Sequence, residues 1–565
     1  MHSLFRALLP ALALQSAAAV GAAATAPAGS RPNILIVYTD DQRWDCLGIA
    51  GHSFLKTPNI DRIGREGVRF ANAFTTSPVC SPSRASFLTG QYKHTHGVLG
   101  NEDSTALSMR LNTFPRILHE AGYRTGYFGK WHMGKSGEPR PGFDRWVALE
   151  GQGSYLDPLV NIDGRRVATK GYVADIVTEY AARFIEQESS QPFCVIVAHK
   201  APHSPFTPAP RHADLYANET IERRRNSRDD LSDKPALTKP LPGWPCVGPG
   251  TGPGDDQIRN QLRTLASIDE GVGRLLALLE RRGELERTLV LFSSDHGYFW
   301  GEHGLGDKRA AYEEALRVPL LARYPPLAAA GAVCEAMVLN IDVAPTLLEL
   351  AGAAMPGTTQ GKSFLPLLGS DRSNDAAFRT AFLAGYSNEA GQPRIPTWRG
   401  TRTSRWKFVQ YPTLPGMDEL YDLEADPFEL NNLADDPAHL ADLRDVKRTL
   451  ATLLAETNHP GRFTTFEGVL IDRWQAQNVR GFEDARKRKR DSMLTDGNFN
   501  SEFGVLLPDG SYELIAGADR DRVLVYLEEE APASDVRVVA KFYDQGEGRR
   551  LVSLAPISGD IHSKR

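Results

Sequence analysis

The sequence predicts an α/β protein: a large, mostly parallel sheet sandwiched by helices, with a smaller C-terminal α+β domain. Three observations carry this. Four apolar, β-rich runs read continuously rather than alternating, as strands covered on both faces do. Segments with helical spacing lie between those runs, the order that builds parallel sheets. Near residue 370 the character changes to short strands followed by one helix.

The first apolar run is Asn33 to Asp41, and the second spans Tyr123 to His132. The third begins at Phe193 and continues through His199 to His203, and the fourth runs from Thr288 to His296. Each ends in a knot of polar, reactive residues. In open α/β sheets ligands gather beyond the carboxyl ends of the strands, which is where all four knots fall.

Between the runs, Leu262 to Arg282 carries Leu265, Ile268, Val272, Leu275, Leu276 and Leu279 at helical spacing, with Gly283 as a C-terminal stop. Thr113 to Ala121, closed by Gly122, is a second helix. Residues from Pro205 to Gly254 break the rhythm with charged and Pro/Gly-rich stretches, as a surface loop or a substrate-gating excursion would. Past residue 370, Trp406–Tyr411 and Glu419–Leu423 predict two strands, and about Pro437 to Glu456 a helix. Beyond Pro460 come the basic run Arg486–Arg490 and β-like runs at Arg522–Leu527 and Val536–Phe542.

The predicted organisation is therefore a signal peptide over 1–28, a catalytic domain over 31–370, an α+β domain over 371–460 and a β-rich tail over 461–565. The signal rests on Arg6, the apolar stretch from Ala7 to Ala24, and small residues at Ala22, Ala24 and Ala26 that offer cleavage sites. As a membrane span this Ala-rich stretch is weak and lacks a basic stop-transfer flank, so the expectation is export to the periplasm or the extracellular space without stable membrane insertion.

Composition narrows the function. The 565 residues are 41% hydrophobic and 24% charged, which excludes wholesale disorder. With 65 Lys+Arg against 70 Asp+Glu, nothing points to a nucleic-acid partner. Five cysteines are too few for a disulfide framework, and the odd number leaves at least one sulfur over. Cys194 sits inside a strand pattern and reads as core.

The segment that carries the chemistry is Cys80-Ser-Pro-Ser-Arg-Ala-Ser-Phe-Leu-Thr-Gly90. The skeleton Cys-x-Pro-x-Arg alone is expected about 0.04 times by chance at this composition. Asp40, Asp41 and Asp295 end two different strands, where a sheet would bring them together. Three such carboxylates repel one another unless a cation lies among them, and a hard divalent ion prefers carboxylate oxygen. An Asp-Asp pair is ordinarily a turn or a helix cap; here it closes a buried strand. The Cys/His spacing of a structural zinc site is absent.

Cys80 to Gly90 resembles the signature of the formylglycine-dependent sulfatases, of alkaline-phosphatase-like fold. The resemblance extends from about Arg31 to Pro437 through Asp40-Asp41-Gln42, Thr57-Pro-Asn-Ile-Asp61, Gly129-Lys-Trp-His-Met-Gly134, Glu419-Leu-Tyr-Asp-Leu423, Asp426-Pro427 and Asn432-Leu433. It implies that a formylglycine-generating enzyme oxidises Cys80 to an aldehyde, whose hydrate is the nucleophile, and that Arg84 holds it. It also implies Ca²⁺ on Asp40, Asp41, Asp295, His296 and the modified Cys80. Imidazole is a less typical calcium partner, which leaves Mg²⁺ or Mn²⁺ as alternatives.

In the same reading Lys130 clamps the sulfate and the hydrate, and His132 is the base that collapses the sulfated intermediate. His203 and Lys308 hold the sulfate and help protonate the leaving alcohol. Asp295 takes the proton of the attacking hydroxyl. Lys130 and His132, two apart on a strand-like segment, are expected to point the same way. Glu302 and His303 line the substrate pocket or form a salt-bridged loop.

The implied function is sulfuric ester hydrolysis on a sulfated carbohydrate or an aryl sulfate. Its rivals are a phosphomonoester or phosphodiester hydrolase of the same superfamily and a non-catalytic protein that binds sulfated glycans.

Overall fold

The computed structural model describes residues 31–459, apart from 239–251, 374, 390–394, 413 and 415, and five strands beyond them. The signal-peptide expectation and the basic run at Arg486 lie outside the described residues, as does Cys246.

The ten strands of the main sheet are β1 (Asn33–Thr39), β2 (Val68–Phe74), β3 (Arg124–Lys130), β4 (Arg145–Leu149), β5 (Leu159–Ile162), β6 (Arg165–Ala168), β7 (Phe193–Ala198), β8 (Thr288–Ser294) and, beyond a small ribbon of β9 (Phe299–Trp300) and β10 (Gly306–Asp307), β11 (Leu320–Arg323) and β12 (Ala332–Leu339). Their order across the sheet is β12-β2-β11-β8-β1-β7-β3-β4-β5-β6. The centre, β8-β1-β7-β3-β4, is parallel throughout. The four predicted runs supply four of its five strands. Antiparallel β11 and the β5-β6 hairpin flank this centre.

Successive residues of a strand face opposite sides, and both sides are buried here. Ile34, Ile36, Cys194, Ile196 and Leu291 join one hydrophobic cluster, while Leu35, Val37, Val195, Val197 and Phe292 join the other. This accounts for the unbroken apolar runs. The second face is covered by α-helices Val173–Glu186 and Asp255–Arg281, whose buried apolar side chains belong to that cluster. The predicted helix at Leu262 thus begins about two turns earlier, at Asp255.

A four-stranded antiparallel sheet follows, β13 (Ala381–Tyr386), β14 (Trp398–Thr403), β15 (Trp406–Gln410) and β16 (Glu419–Asp422), in that order. Helix Leu440–Glu456 buries Val446 and Leu450 in a third cluster with Phe382, Trp398, Phe408 and Leu420. That cluster also holds Phe74, Tyr312 and Leu339 of the larger unit, so the two sheets share a core. The five later strands, β17 (Phe499–Leu506), β18 (Ser511–Leu514), β19 (Val523–Leu524), β20 (Arg537–Asp544) and β21 (Arg549–Pro556), form an antiparallel sheet of order β19-β18-β17-β20-β21.

Candidate active site

Strand ends and one helix start build the site. Asp40 and Asp41 follow β1, and the chain turns there through the left-handed region at Asp41 (φ 67°). Asp295 and His296 follow β8, the parallel neighbour of β1. Cys80 is the first residue of helix Cys80–Thr89, every residue of which is buried. The positive dipole end of that helix lies at Cys80.

Four donor residues, Asp40, Asp41, Cys80 and His296, bring ligand atoms within 4.8 Å of one another, all of them buried. Cys80 Sγ lies 3.6 Å from Asp40 Oδ1 and 3.3 Å from His296 Nε2. Asp295 stands beside the four: its Oδ1 is 3.5 Å from His296 Nε2 and accepts the Asp41 N–H at 3.2 Å. Its Oδ2 accepts from Arg84 Nε at 3.0 Å.

Arg84 spreads over three acceptors, donating also to Asp40 Oδ2 at 3.0 Å and to the Lys130 carbonyl at 2.7 Å. Lys130 pairs with Asp40 and donates to Gln152. Lys308 Nζ pairs with Asp41 Oδ1 at 2.8 Å, and His203 Nε2 is 3.8 Å from Asp41 Oδ2.

The expectation that Lys130 and His132 share one face of a strand does not hold. Strand β3 stops at Lys130, and His132 adopts φ 60°, so the alternation of a strand no longer applies. Gly129 (φ 121°) and Gly134 (φ 95°) flank this turn, and a Cβ on Gly129 would sit 1.9 Å from the Ala198 carbonyl oxygen. His132 reaches the charged cluster by the turn rather than by the strand. Its Nδ1 is buried without a hydrogen-bond partner.

The electrostatics sort these groups. Burial alone would raise the Asp40 carboxyl, but Lys130, His203, Arg84 and Lys308 hold it well below the usual carboxylate range. Asp41 is pushed up to about 6 by burial, with the neighbouring carboxylates Asp40 and Asp295 adding to the rise and Lys308 and His296 opposing it. Burial and then Lys130 hold His132 well below the imidazole range, so it is neutral and able to accept a proton. His203 is lowered by burial, Lys130 and Lys308. His296 goes the other way: burial disfavours its charge, yet Asp295 and Cys80 carry it to about 9.

The field that favours an imidazolium there also favours a divalent cation. Two carboxylates, an imidazole and the Cys80 position, with Asp41 Oδ2 buried and free of hydrogen bonds, are a donor set that fits a hard ion.

Sequence reasoning missed several neighbours. Lys200 is buried over the Tyr155 ring, 5.1 Å from its centroid, and burial with Lys130 lowers it to about 8. It sits inside the third polar knot, so the knot was the available signal. Gln152, Asn101 and Glu389 lie in loops with no strand-end signature. Glu302 and His303 form the salt-bridged loop rather than a pocket wall. Both are buried, Glu302 Oε1 against Arg43 at 2.7 Å and His303 Nδ1 against Asp229 Oδ2 at 2.7 Å.

His303, Glu314 and Glu429 form a second close group of donors. Its centre is already served: the Asn226 amide donates to both His303 Nε2 and Glu314 Oε1, and Lys407 pairs with Glu429 at 2.6 Å and Glu313 at 2.8 Å. Together these contacts make the group an ionic seam. The excursion after Pro205 supplies Asn226 and Asp229 to it, so its described part packs as a structural wall.

Strand-end carboxylates, a buried cysteine at a helix start and a ring of cations on a parallel sheet are an arrangement suited to a hydrolase of tetrahedral oxyanion esters. The comparisons are specific within that class. The Sulfatase family model matches residues 32–353, and the model for the C-terminal part of N-sulphoglucosamine sulphohydrolase matches residues 301–457. The chain belongs to the sulfatase family, and it is an enzyme of that family.

It is 34% identical over 465 residues to the N-acetylglucosamine-6-O-sulfatase of Bacteroides thetaiotaomicron, covering 71% of this chain and 82% of that protein. A structure described as a complex with its substrate D-glucosamine-2-N,6-O-disulfate superimposes with a TM-score of 0.71 at 31% identity, covering 76% of this chain and 99% of that one. The phosphonate monoester hydrolase of Agrobacterium radiobacter (TM-score 0.62, 24% identity, 77% of this chain and 98% of that one) shares the fold.

Proposed function

We propose that this sulfatase removes sulfate from a sulfated carbohydrate, with 6-O-sulfated glucosamine as the favoured unit, using an aldehyde derived from Cys80. The observation that carries the reading is Cys80 buried at a helix start between Asp40 and His296, inside the Arg84–Lys130–Lys308 ring. The sugar preference follows the named relative and the glucosamine disulfate complex.

Asp40, Asp41, Asp295, His296 and the Cys80 position would hold a Ca²⁺ ion, with Mg²⁺ or Mn²⁺ as alternatives, and a bound divalent ion supplies stabilisation of charge on the sulfuryl oxygens. The hydrated aldehyde would supply an oxygen nucleophile with a second hydroxyl on the same carbon through which sulfate can later be expelled, which a serine side chain lacks.

The protein's own groups do the rest. Asp295 accepts the proton of the attacking hydroxyl. Arg84, bonded to Asp295 through Nε and to Asp40 through Nη2, fixes both carboxylates in place. Lys130 neutralises charge on the sulfate oxygens and the uncharged His203 hydrogen-bonds to them, while Lys308, with His203 holding the sulfate in place, supplies a proton to the departing alcohol oxygen. His132, neutral at working pH, removes the proton of the second hydroxyl so that sulfate departs.

Within the proposal, residues 31–370 carry the chemistry, 371–460 buttress it, and export by the 1–28 segment exposes it to glycans. Among the described residues no helix is long and apolar enough to cross a membrane.

The test pairs chemistry with turnover. Protein made alongside a formylglycine-generating enzyme is digested, and the Cys80 peptide is probed for an aldehyde. The same protein is assayed on glucosamine 6-sulfate, 4-nitrophenyl sulfate and 4-nitrophenyl phosphate. An aldehyde with sulfate release from the sugar is expected, and Cys80→Ser should allow one slow turnover at most. A fully active protein that keeps its thiol refutes the reading. Preference for the phosphate ester favours the phosphorus rival, and glycan binding with no turnover favours the binding protein.

A further inference from the structure

Lys308 stands in an unusual piece of backbone. Its two neighbours, Asp307 (φ 74°) and Arg309 (φ 89°), both occupy the left-handed region without being glycine. Such residues persist only when the surroundings fix them. Lys308 also faces a choice of carboxylates, with Asp41 Oδ1 at 2.8 Å and Asp307 Oδ1 at 3.5 Å. Only the first keeps its ammonium in the site.

The fixing group comes from the antiparallel sheet, just past the end of β13. Glu389 is buried, 6% exposed, and its two oxygens do different jobs. Oε2 accepts from Arg309 Nε at 2.6 Å, and Arg309 in turn pairs with Asp307, drawing that carboxylate away from Lys308. Oε1 accepts the Asn101 N–H at 2.8 Å, and Asn101 Oδ1 accepts the N–H of Ser81 at 3.0 Å. Ser81 follows Cys80 in the chain. Glu389 is itself held: its N–H donates to the Tyr386 hydroxyl at 3.2 Å, and Trp398 Nε1 donates to the Arg309 carbonyl at 2.6 Å. One carboxylate therefore ties the turn of the leaving-group lysine to the turn of the nucleophile.

We propose that Glu389 is a positioning residue through which the antiparallel sheet sets both the Lys308 turn and the Cys80–Ser81 turn. The inference rests on the sulfatase mechanism above and adds to it a division of labour between the two oxygens. Glu389→Gln keeps a carbonyl for Asn101 but removes the charge that holds Arg309, so Asp307 is released toward Lys308. The defect falls on protonation of the leaving group. Glu389→Leu removes both contacts, so the nucleophile's turn is loosened as well.

Leaving-group chemistry separates these effects from a general structural defect. A sugar alkoxide needs protonation as it departs, whereas 4-nitrophenolate leaves unaided. The kcat/KM of wild type, Glu389→Gln and Glu389→Leu is measured on glucosamine 6-sulfate and 4-nitrophenyl sulfate, normalised to the aldehyde content of each preparation. Glu389→Gln should lose at least about tenfold on the sugar and less than about threefold on the aryl ester. Glu389→Leu should lose at least about tenfold on both.

Equal losses for Glu389→Gln on the two substrates, or none on either, overturn the proposal, and should Glu389→Leu fail to fold, the Gln variant still decides. A wild-type protein inactive on both substrates refutes the sulfatase mechanism itself, a result distinct from an active wild type with an indifferent Gln variant.

Discussion

His96 offers a way to measure how firmly the helix that begins at Cys80 is held. It is 4% exposed, with Nε2 on Ser86 Oγ at 3.0 Å and Nδ1 accepting the Val98 N–H at 3.1 Å. Ser86 belongs to helix Cys80–Thr89. A proton on Nδ1 would meet the Val98 N–H, and burial, with His94 and Lys93 nearby, lowers the His96 pKa to about 3.

The unfolded chain titrates this histidine near 6.5, so the unfolded state takes the proton first as pH falls. The stabilisation from a neutral His96 is complete above pH 6.5 and is lost progressively toward pH 3. At about 1.4 kcal/mol per pH unit, the 1.5 units between 6.5 and pH 5 correspond to about 2 kcal/mol. His96→Gln does not titrate there. At pH 7 the variant should be less stable by about 1–3 kcal/mol, from lost or poorly met hydrogen bonds. The gap between it and wild type should then shrink by about 2 kcal/mol at pH 5.

Hydrogen exchange of peptides covering residues 80–89, read as opening free energies at both pH values, measures that gap directly. A gap unchanged between pH 7 and pH 5 refutes the argument, because it means that His96 is protonated as readily in the fold as out of it.

Two further outcomes follow from the charged groups. Lys407→Met leaves Glu313 and Glu429 buried without their shared cation, at a cost of about 3–5 kcal/mol by thermal or urea unfolding; because burial and the neighbouring carboxylates already bring Glu429 to about 7, the loss should ease in mildly acidic buffer as the carboxyl takes a proton. Asp41→Asn removes a donor with an unsatisfied oxygen, so calcium retained after gel filtration, read by elemental analysis, should fall well below one ion per chain while the melting temperature without added metal holds or rises.

What the sequence disclosed was governed by burial. β1, β3, β7 and β8 announce themselves because both faces are covered, and each ends at the site it helps to build. β2, β5, β6, β11 and β12 gave no such signal. β2 carries partly exposed Arg69, Ala71 and Asn72 among its apolar residues, and β5 and β6 make a hairpin at one edge. The pair β13 and β14 was missed for a similar reason: Arg399 and Arg402 in β14 look like surface residues, but they are buried.

At the site, motif residues were legible because their chemistry is rare in combination. Cys80, Arg84, Asp40, Asp41, Lys130, Asp295, His296, His203 and Lys308 come within contact of at least one other member of the set. Asn101, Gln152 and Glu389 were illegible because each acts through a tertiary contact between segments far apart in sequence. An isolated Asn, Gln or Glu in a loop reads as solvated surface until the fold supplies its partner.

The same distinction bears on the antiparallel sheet, whose residues reach the Lys308 turn through contacts between distant segments. A lysine that must keep its charge against one carboxylate while another lies less than 4 Å away cannot be positioned by its own loop, least of all one flanked by two left-handed residues. Arg309 supplies the restraint locally, but an exposed arginine would gain little from Asp307 in water. Glu389, Tyr386 and Trp398 bury it and fix its direction. The ionic seam of Glu313, Lys407 and Glu429, with the Tyr312, Tyr411 and Tyr421 hydroxyls on Glu419, then holds that sheet against the turn. The family match that begins at residue 301 spans the Lys308 turn, the seam and all four strands together. Under the proposal for Glu389 these form one device, which extends preorganisation from the strand ends into the smaller sheet.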